Sequence, residues 1–184
     1  MGVTSEAGAV LEQVRKVRQV RQYRPDPVPA EAVDQLLEIA RWTGSSRNTQ
    51  PWHFIVIRDK ETLRRISQLR PPINWVADAP MAIAIVLDGA SQLSEAYDEG
   101  RVSERLLIAA QILGLGGGVA WFGDASQEAE AKRILGIPED RTARSVVTIG
   151  YPKSIRDPRP NPARAGRKPI SEIVSYERFG QTSA

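Results

Sequence analysis

Apolar residues recur along the chain at two spacings, one typical of amphipathic helices and the other typical of strands. Pro29 suits the first turn of a helix, Asp59 suits an N-terminal cap, and two adjacent prolines mark a break at 71–72. With these signals, spacings of three and four residues predict helices over 9–20, 29–44, 59–69 and 127–135.

Three short runs are apolar without interruption, which is typical of buried strands. They cover 54–57, 81–87 and 145–150, and a further short strand is predicted over 119–122. Residues 103–113 form a helix that is apolar on most faces, so it must be buried all round, at the centre of the domain or against another chain. Strands and helices that do not alternate strictly predict an α+β domain.

The C-terminal part is rich in proline, since 152–169 holds five of the 13 prolines of the chain. We therefore expect a single domain over 1–184 in which 152–184 form an extended arm without a core of its own. An arm that wraps around a second copy, with the apolar helix in the interface, would bury both.

The composition excludes several kinds of chemistry. The chain has 184 residues, no cysteine and one histidine. Without cysteine there is no disulfide, no thiolate nucleophile and no cysteine-bound zinc or iron–sulfur cluster, and one histidine excludes a multi-histidine metal site. Redox chemistry would need a bound organic cofactor.

Positive charge is concentrated in two segments, although the net charge is only +3. Residues 15–24 carry five arginines and lysines without an acid, and 151–168 carry six with one aspartate, so the remainder is net acidic. This distribution favours a localised anion site over a general nucleic-acid surface, and solvated arms explain it about equally well.

Glycines 114, 116, 117 and 118 do not form a Rossmann fingerprint, because they follow a helix and precede a strand. Gly114 fits a helix C-cap and Gly116 fits either the same turn or a close approach, whereas Gly117 and Gly118 indicate close approach of the backbone to protein or to a ligand. Asp98 and Glu99, before the predicted helix, and Glu104 on it are expected to complement its dipole. His53 is more typical of a structural residue than of a base.

The polar loop over 44–52 is either a connection or a binding loop, since hydroxyls, amides and an arginine are concentrated in it. This loop and four other segments form an ordered set. The set comprises Arg18-Gln-Val-Arg21-Gln-Tyr with Pro27-Val-Pro29, Ser45-Ser-x-Asn48-x-Gln50-Pro-Trp52-x-Phe54, Leu113-Gly-Leu-Gly to Trp121-Phe-Gly123, Ile149-Gly-Tyr-Pro152 and Arg167-Lys-Pro-Ile.

In this order, from about residue 11 to 178, the segments resemble the FMN-dependent nitroreductase family. The resemblance implies a nitroreductase-like α+β fold, with a central, mostly antiparallel sheet flanked by helices. It also implies a domain-exchanged homodimer with FMN sites at the interface.

The resemblance further implies roles for the basic residues. Arg18 would hold the flavin phosphate, Gln19 would occupy the usual hydroxyl position, and Arg21 would lie near N1 and the C2 carbonyl. Arg167 and Lys168 would complete the phosphate clamp. Arginine forks bind phosphate oxygens bidentately, so both basic segments become walls of one anion site.

Two other segments would reach the same flavin. Ser45, Ser46 and Asn48 would come from the partner subunit, and the Phe122 amide would donate to N5. The backbone along the ring edge would be that of Ala120, Trp121, Phe122 and Gly123.

The implied activity is that of an oxidoreductase in which NADH or NADPH reduces FMN, and a nitroaromatic, quinone or similar acceptor then takes the electrons by a ping-pong mechanism. No side chain is expected to be catalytic and no metal is expected. Trp121, Phe122 or the partner subunit's Trp42 would form the wall of the acceptor pocket, or belong to the core. The chain departs from the family pattern at Val17, Gln19, Gly44 and Glu104-Arg105.

Two alternatives stay open. One is a specialised flavin enzyme of the same fold with its own substrate, and the other is a nucleic-acid-binding module that uses the basic arms. A partner nucleic acid is not expected, because the body of the protein is acidic. The apolar runs are far below the ~20 residues of a membrane helix, so no membrane contact and a cytoplasmic location are expected.

Overall fold

A computed structural model describes residues 5–153 and 166–181 and shows an α+β architecture. Its strands are β1 (Trp52–Ile57), β2 (Met81–Leu87), β3 (Gly116–Trp121) and β4 (Ser145–Gly150). Its helices are α1 (Ser5–Lys16), α2 (Ala30–Arg41), α3 (Lys60–Ser67), α4 (Gln92–Ile112), α5 (Ala125–Leu135) and α6 (Ile170–Ile173), with 3₁₀ segments Ser46–Asn48 and Pro71–Asp78.

The four strands form one antiparallel sheet in the order β1-β2-β4-β3. β2 and β4 are buried along their whole length, which agrees with their uninterrupted apolar sequences. Because side chains alternate across a sheet, Ile83 and Val147 pack towards α2 and α4, whereas Ala84 and Val146 pack with α3 and α5. The expected fold class is therefore confirmed.

Helix α1 ends earlier than the predicted 9–20, at Lys16. The next residues adopt extended backbone beside β3, where the Val20 amide donates to the Gly117 carbonyl at 2.8 Å. The Arg24 amide likewise donates to the Tyr151 carbonyl at 2.8 Å. Tertiary hydrogen bonds to an open strand edge have replaced the last turn of the predicted helix.

Helix α4 begins at Gln92, well before the predicted 103, with Ser91 as its N-terminal cap. The polar composition of its first half conceals this helix in the sequence. Asp98 and Glu99 therefore lie inside the helix and are buried, so the prediction that they precede it and complement its dipole is wrong.

Helix α4 is also not buried all round within one chain. Leu106 and Ala110 are buried, but Ile112 is 60% exposed. Ile112, together with Ile39 of α2, lines an apolar groove of about 680 Å³ between α2 and α4. The predicted need for burial against another chain therefore remains open on this face.

Both edge strands differ from their predictions. β1 begins at Trp52 and is only partly buried, with Val56 36% exposed, because nothing in the described residues pairs with its outer edge. β3 begins at Gly116 and ends at Trp121.

The two prolines at 71–72, where the sequence predicts a break, start a 3₁₀ helix.

The predicted arm lies partly outside the described residues, which exclude 154–165 and 182–184. Of the described part, Ile170, Ile173 and Tyr176 are exposed, and Phe179 is fully exposed. No helix in the described ranges is long and apolar enough to cross a membrane.

Candidate active site

Another part of the chain covers only the first half of the outer edge of β3. The extended segment after α1 lies along its first residues, and the Val119 amide donates to Gln19 Oε1 at 2.8 Å. The Phe122 amide points the other way and donates to the Arg144 carbonyl at 2.8 Å. Because amides alternate along a strand, the Trp121 amide faces the same edge as that of Val119.

This geometry corrects the expectation for flavin N5. The Phe122 amide is engaged within the protein, and the Phe122 ring is fully buried, so Phe122 offers neither a free amide donor nor a pocket wall. The Trp121 amide has no hydrogen-bond partner among the described residues. The open half of the edge therefore presents Trp121, not Phe122, as the backbone donor.

The glycines of β3 permit the close approach of the extended segment. A Cβ at Gly116 would lie 2.5 Å from Val20 Cγ2, and one at Gly118 would collide with the Val20 carbonyl and lie 2.9 Å from the Trp75 ring. The close approach indicated by the sequence is thus to protein at these positions, and Gly114, with φ of 72°, serves as the predicted turn.

The predicted cations lie beside this edge. Arg18 Nη1 donates at 2.6 Å to the Arg15 and Val17 carbonyls, so its guanidinium sits at the C-terminal end of α1. Arg18 remains exposed, and Arg21 lies over the Trp75 ring with 5.8 Å from Cζ to the centroid. Val17, where the chain departs from the family pattern, packs against the core between α2 and α4.

A cleft of about 390 Å³ opens between this edge and α4. Trp121, which is 54% exposed, forms one side of it together with Gln19. The opposite side is polar and comes from α4 and the start of β4. Its lining includes Glu99, Ser103, Glu104, Arg144 and Ser145.

An ionic cluster that the sequence did not reveal lies at the base of this cleft. Arg144 contacts Glu99 Oε2 at 3.3 Å and Glu95 Oε2 at 3.7 Å, and Ser145 Oγ donates to Glu99 Oε1. Burial raises the pKa of Glu99, while Ser145 and Arg144 oppose this shift. Two acidic residues one turn apart on a helix were the available signal, but the sequence gave no indication of burial.

The Ser45–Asn48 region forms a tight loop. Ser45 Oγ accepts a hydrogen bond from the Gln50 amide at 2.9 Å. Arg47, Asn48 and Gln50 all have φ near +50° (51°, 56° and 48°). Left-handed backbone at three non-glycine residues costs energy, and such strain concentrates in binding segments. Ser46 and Asn48 are exposed.

Helix α4 separates this loop from the cleft. Arg101 and Arg105 donate to the Gly44 and Trp42 carbonyls, while the cleft is lined by other residues of the same helix, at 96, 99, 100, 103 and 107. At roughly 100° per residue, the two sets lie on opposite faces of a helix about 10 Å across. One chain therefore does not bring the predicted serine loop and Gln19 together.

Arg167 and Lys168 are exposed in the described C-terminal segment. Arg167 Nη1 donates only to the Gly166 carbonyl, at 3.3 Å, and the structure does not bring either residue to Arg18. Their predicted part in a phosphate clamp is not tested by a single chain.

The residues at the β3 edge fit a flavin mononucleotide in chemical terms. A free backbone donor at Trp121 and an exposed arginine at Arg18 match a ring with hydrogen-bond acceptors and a phosphate. The remaining ligands that the resemblance implies, on the serine loop, are absent from this side of α4.

Comparison with known proteins agrees with this fold. A profile of the Nitroreductase family matches residues 14–84. A putative NADH dehydrogenase/NAD(P)H nitroreductase of Methanothermobacter thermautotrophicus is 35% identical over 149 residues, which cover 78% of this chain and 77% of the relative. A protein of the same name from Archaeoglobus fulgidus is 33% identical over 156 residues, covering 80% and 87%.

Among solved structures, an FMN-dependent nitroreductase from Clostridium difficile superposes with a TM-score of 0.80. The match covers 92% of this chain and 99% of that chain at 24% identity, so it concerns the fold alone. The identity to the Methanothermobacter and Archaeoglobus relatives over most of both chains defines the class: this chain belongs to the nitroreductase family.

Proposed function

We propose that this protein is an FMN-dependent oxidoreductase that uses NADH or NADPH to reduce electron-poor acceptors such as nitroaromatics and quinones. The observation that carries the proposal is the half-open edge of β3, where the Trp121 amide is free beside Gln19 and the exposed Arg18. The names of the similar proteins, NAD(P)H nitroreductase and FMN-dependent nitroreductase, support it.

The chain's own residues would bind and orient the cofactor. Arg18, with Arg167 and Lys168, would hold the phosphate, and the backbone at Trp121 would donate to the ring edge. When bound, FMN supplies the two-electron chemistry that no side chain of this protein can supply. The cleft beside Trp121 would admit the nicotinamide donor and the acceptor in turn, so steady-state kinetics are expected to follow a ping-pong pattern.

The site would be completed by a second copy of the chain. The serine loop lies across α4 from the cleft, so Ser45, Ser46 and Asn48 would reach the flavin of the partner subunit. The apolar groove between α2 and α4 offers the surface for such a dimer. The exposed apolar residues of the C-terminal segment, with Phe179 at its tip, would pack on the other subunit.

The visible absorption spectrum of the purified protein tests the cofactor directly. We expect a flavin spectrum that bleaches anaerobically when NADH or NADPH is added, and the faster donor identifies the preference. A colourless protein that takes up no added FMN would contradict the proposal.

A double variant tests the phosphate clamp. Arg18→Ala with Arg167→Ala is expected to fold but to purify with little flavin, measured as the ratio of flavin absorbance to protein absorbance. The matched control is Arg64→Ala with Arg133→Ala, two exposed arginines that pair with glutamates on α3 and α5. Full flavin retention in the variant with both Arg18→Ala and Arg167→Ala would contradict the assignment of these arginines to the phosphate clamp.

A further inference from the structure

Arg70 lies immediately before the 3₁₀ segment Pro71–Asp78 and reaches across to the end of β3. Its Cζ sits over the Trp121 ring, 4.9 Å from the centroid. The residue is half-buried. It was not among the residues that the sequence indicated for the site.

The guanidinium of Arg70 has no carboxylate partner and no hydrogen bond among the described residues, and its Cζ lies over the Trp121 ring. By contrast, three exposed arginines, Arg41, Arg64 and Arg133, each contact a glutamate at 2.6 Å. A contact with an aromatic ring does not use the five N–H donors of a guanidinium in conventional hydrogen bonds. The N–H donors of Arg70 are therefore available to bind an anion.

The position of Arg70 is held by its neighbours. The Gln127 side chain donates to the Leu69 carbonyl at 3.0 Å and accepts from the Asp124 amide at 2.9 Å. A Cβ at Gly123 would collide with Gln127 Oε1 and lie at ordinary contact distance, 3.4 Å, from Arg70 Cδ, so the glycine leaves room for the glutamine. The glutamine in turn holds the backbone on the N-terminal side of Arg70 beside the end of β3.

Trp121 connects Arg70 to the cleft. Its ring is 54% exposed and lines the cleft, and its amide faces the open edge of β3. On the cleft side, Glu99 is engaged by Arg144 and Ser145. A positive charge without an acidic partner in the described residues is therefore found next to this cleft at Arg70, beyond the Trp121 ring.

We propose that Arg70, seated on Trp121, recognises the anionic group of a planar ligand that binds beside the β3 edge, and that this gives preference to acceptors carrying an aromatic carboxylate. The inference rests on the proposed function, which places a planar acceptor in this cleft. The same chemistry would also suit a phosphate of the dinucleotide donor, and the experiment distinguishes the two sources.

The test compares benzoate with benzamide, which differ in charge but hardly in shape, by calorimetric titration of the flavin-loaded protein. The wild type is expected to bind benzoate about tenfold more tightly, the value of one charge-assisted hydrogen bond. The ratio of the benzoate affinity to the benzamide affinity is expected to fall to near one in Arg70→Gln. In Arg70→Lys it is expected to lie between this value and that of the wild type. Arg65→Gln, a half-buried arginine of α3 that does not contact Trp121, is the matched control.

NADP⁺ binding to the same proteins identifies the source of the anion. A lost benzoate preference with unchanged NADP⁺ affinity supports the acceptor, whereas weaker NADP⁺ binding with unchanged benzoate binding supports a phosphate of the donor. Unchanged affinity for both ligands in Arg70→Gln overturns the inference, as does loss of flavin, which would make Arg70 part of the cofactor clamp.

Failure of the proposed function gives a different result. A wild-type protein without flavin contradicts that function, and the benzoate to benzamide ratio of the same sample still reports on Arg70. As a second variant, Trp121→Leu removes the ring on which Arg70 is seated and is expected to reduce the preference without removing the charge.

Discussion

At the start of β4, Arg144 lies between the carboxylates of Glu95 and Glu99, and Glu95 Oε2 has no hydrogen-bond partner in the described part of the chain. Ser145 and the nearby Glu128 also act on Glu99. At the scale of single residues, this cluster joins α4 to the strand pair that carries Trp121, because Ser145 is opposite Trp121 in the sheet. Its protonation therefore affects the wall of the cleft.

The stability of the protein is expected to depend on the protonation of Glu99. Because burial raises its pKa, the folded protein binds more protons than the unfolded chain between the ordinary carboxyl pKa and the raised value. The stabilisation is present below this window and is lost as pH rises through it. Glutamine resembles the protonated side chain and does not titrate, so the Tm of the wild type minus that of Glu99→Gln should fall as pH rises from about 4, the ordinary range of a glutamate.

Glu104→Gln is the matched control, since Glu104 is an exposed glutamate of the same helix. Both variants are measured by circular dichroism over the same pH range, and the Tm of Glu104→Gln serves as the reference for the loss of an exposed charge. A difference for Glu99→Gln that is constant with pH would contradict the raised pKa.

At the scale of elements, β3 and the extended segment beside it depend on one another. Gly116 and Gly118 leave the strand without side chains where Val20 and Trp75 approach, and the Gln19 side chain accepts from the Val119 amide at the end of the covered half. The open half carries the free amide of Trp121. The point at which the extended segment leaves the outer edge of β3 thus decides which backbone amide faces the proposed site.

Gly118→Ala is expected to push the extended segment away from β3, because the added Cβ would collide with the Val20 carbonyl. We expect a loss of about 1–3 kcal/mol in the free energy of unfolding, as for other overpacked sites. Flavin content should fall with it, because Gln19 and Arg18 move with the segment. Urea unfolding and the absorption spectrum provide the two measurements.

Gly100→Ala is the control, since a Cβ there meets nothing within 4 Å. In a helix this change is expected to leave stability unchanged or raise it by up to about 1 kcal/mol. Equal effects of the two substitutions would show that the close approach of Val20 to β3 does not stabilise the protein.

At the scale of the whole molecule, one chain leaves both an incomplete site and uncovered apolar surface. The serine loop and the cleft lie on opposite sides of α4, and Ile39 and Ile112 line an open groove. Val10, Leu11 and Val14 of α1 are also exposed. A second copy would cover these surfaces and supply the missing loop.

Ile112→Glu is expected to weaken the proposed dimer about tenfold or more, because a buried polar group without a partner costs about 1–3 kcal/mol. Sedimentation velocity should show monomer at concentrations where the wild type is dimeric, with a parallel loss of flavin. The control is Ala129→Glu, at an exposed position of α5 on the other side of the sheet. It should change neither the oligomeric state nor the flavin content. A monomeric variant that keeps its flavin would show that the partner subunit contributes nothing to the site.

Strong local patterns could be read from the sequence. The apolar run of β2 has the predicted bounds, and Asp59 caps α3 by accepting from the Thr62 amide at 2.7 Å. The ordered motifs indicated the family through their resemblance to it. The bounds of β2 and the cap of α3 depend on neighbours within a few residues, so composition and periodicity suffice to predict them.

The tertiary structure decided what distant segments do to one another. The end of α1 at Lys16, the burial of Glu99 and the orientation of the Trp121 amide each follow from contacts across the sheet or with α4. Arg70 and Trp121 are far apart in sequence, so no local pattern could join them. Sequence by itself determined the elements and the family, whereas packing determined which donors and charges remain free, because hydrogen bonds and burial are shared between residues distant along the chain.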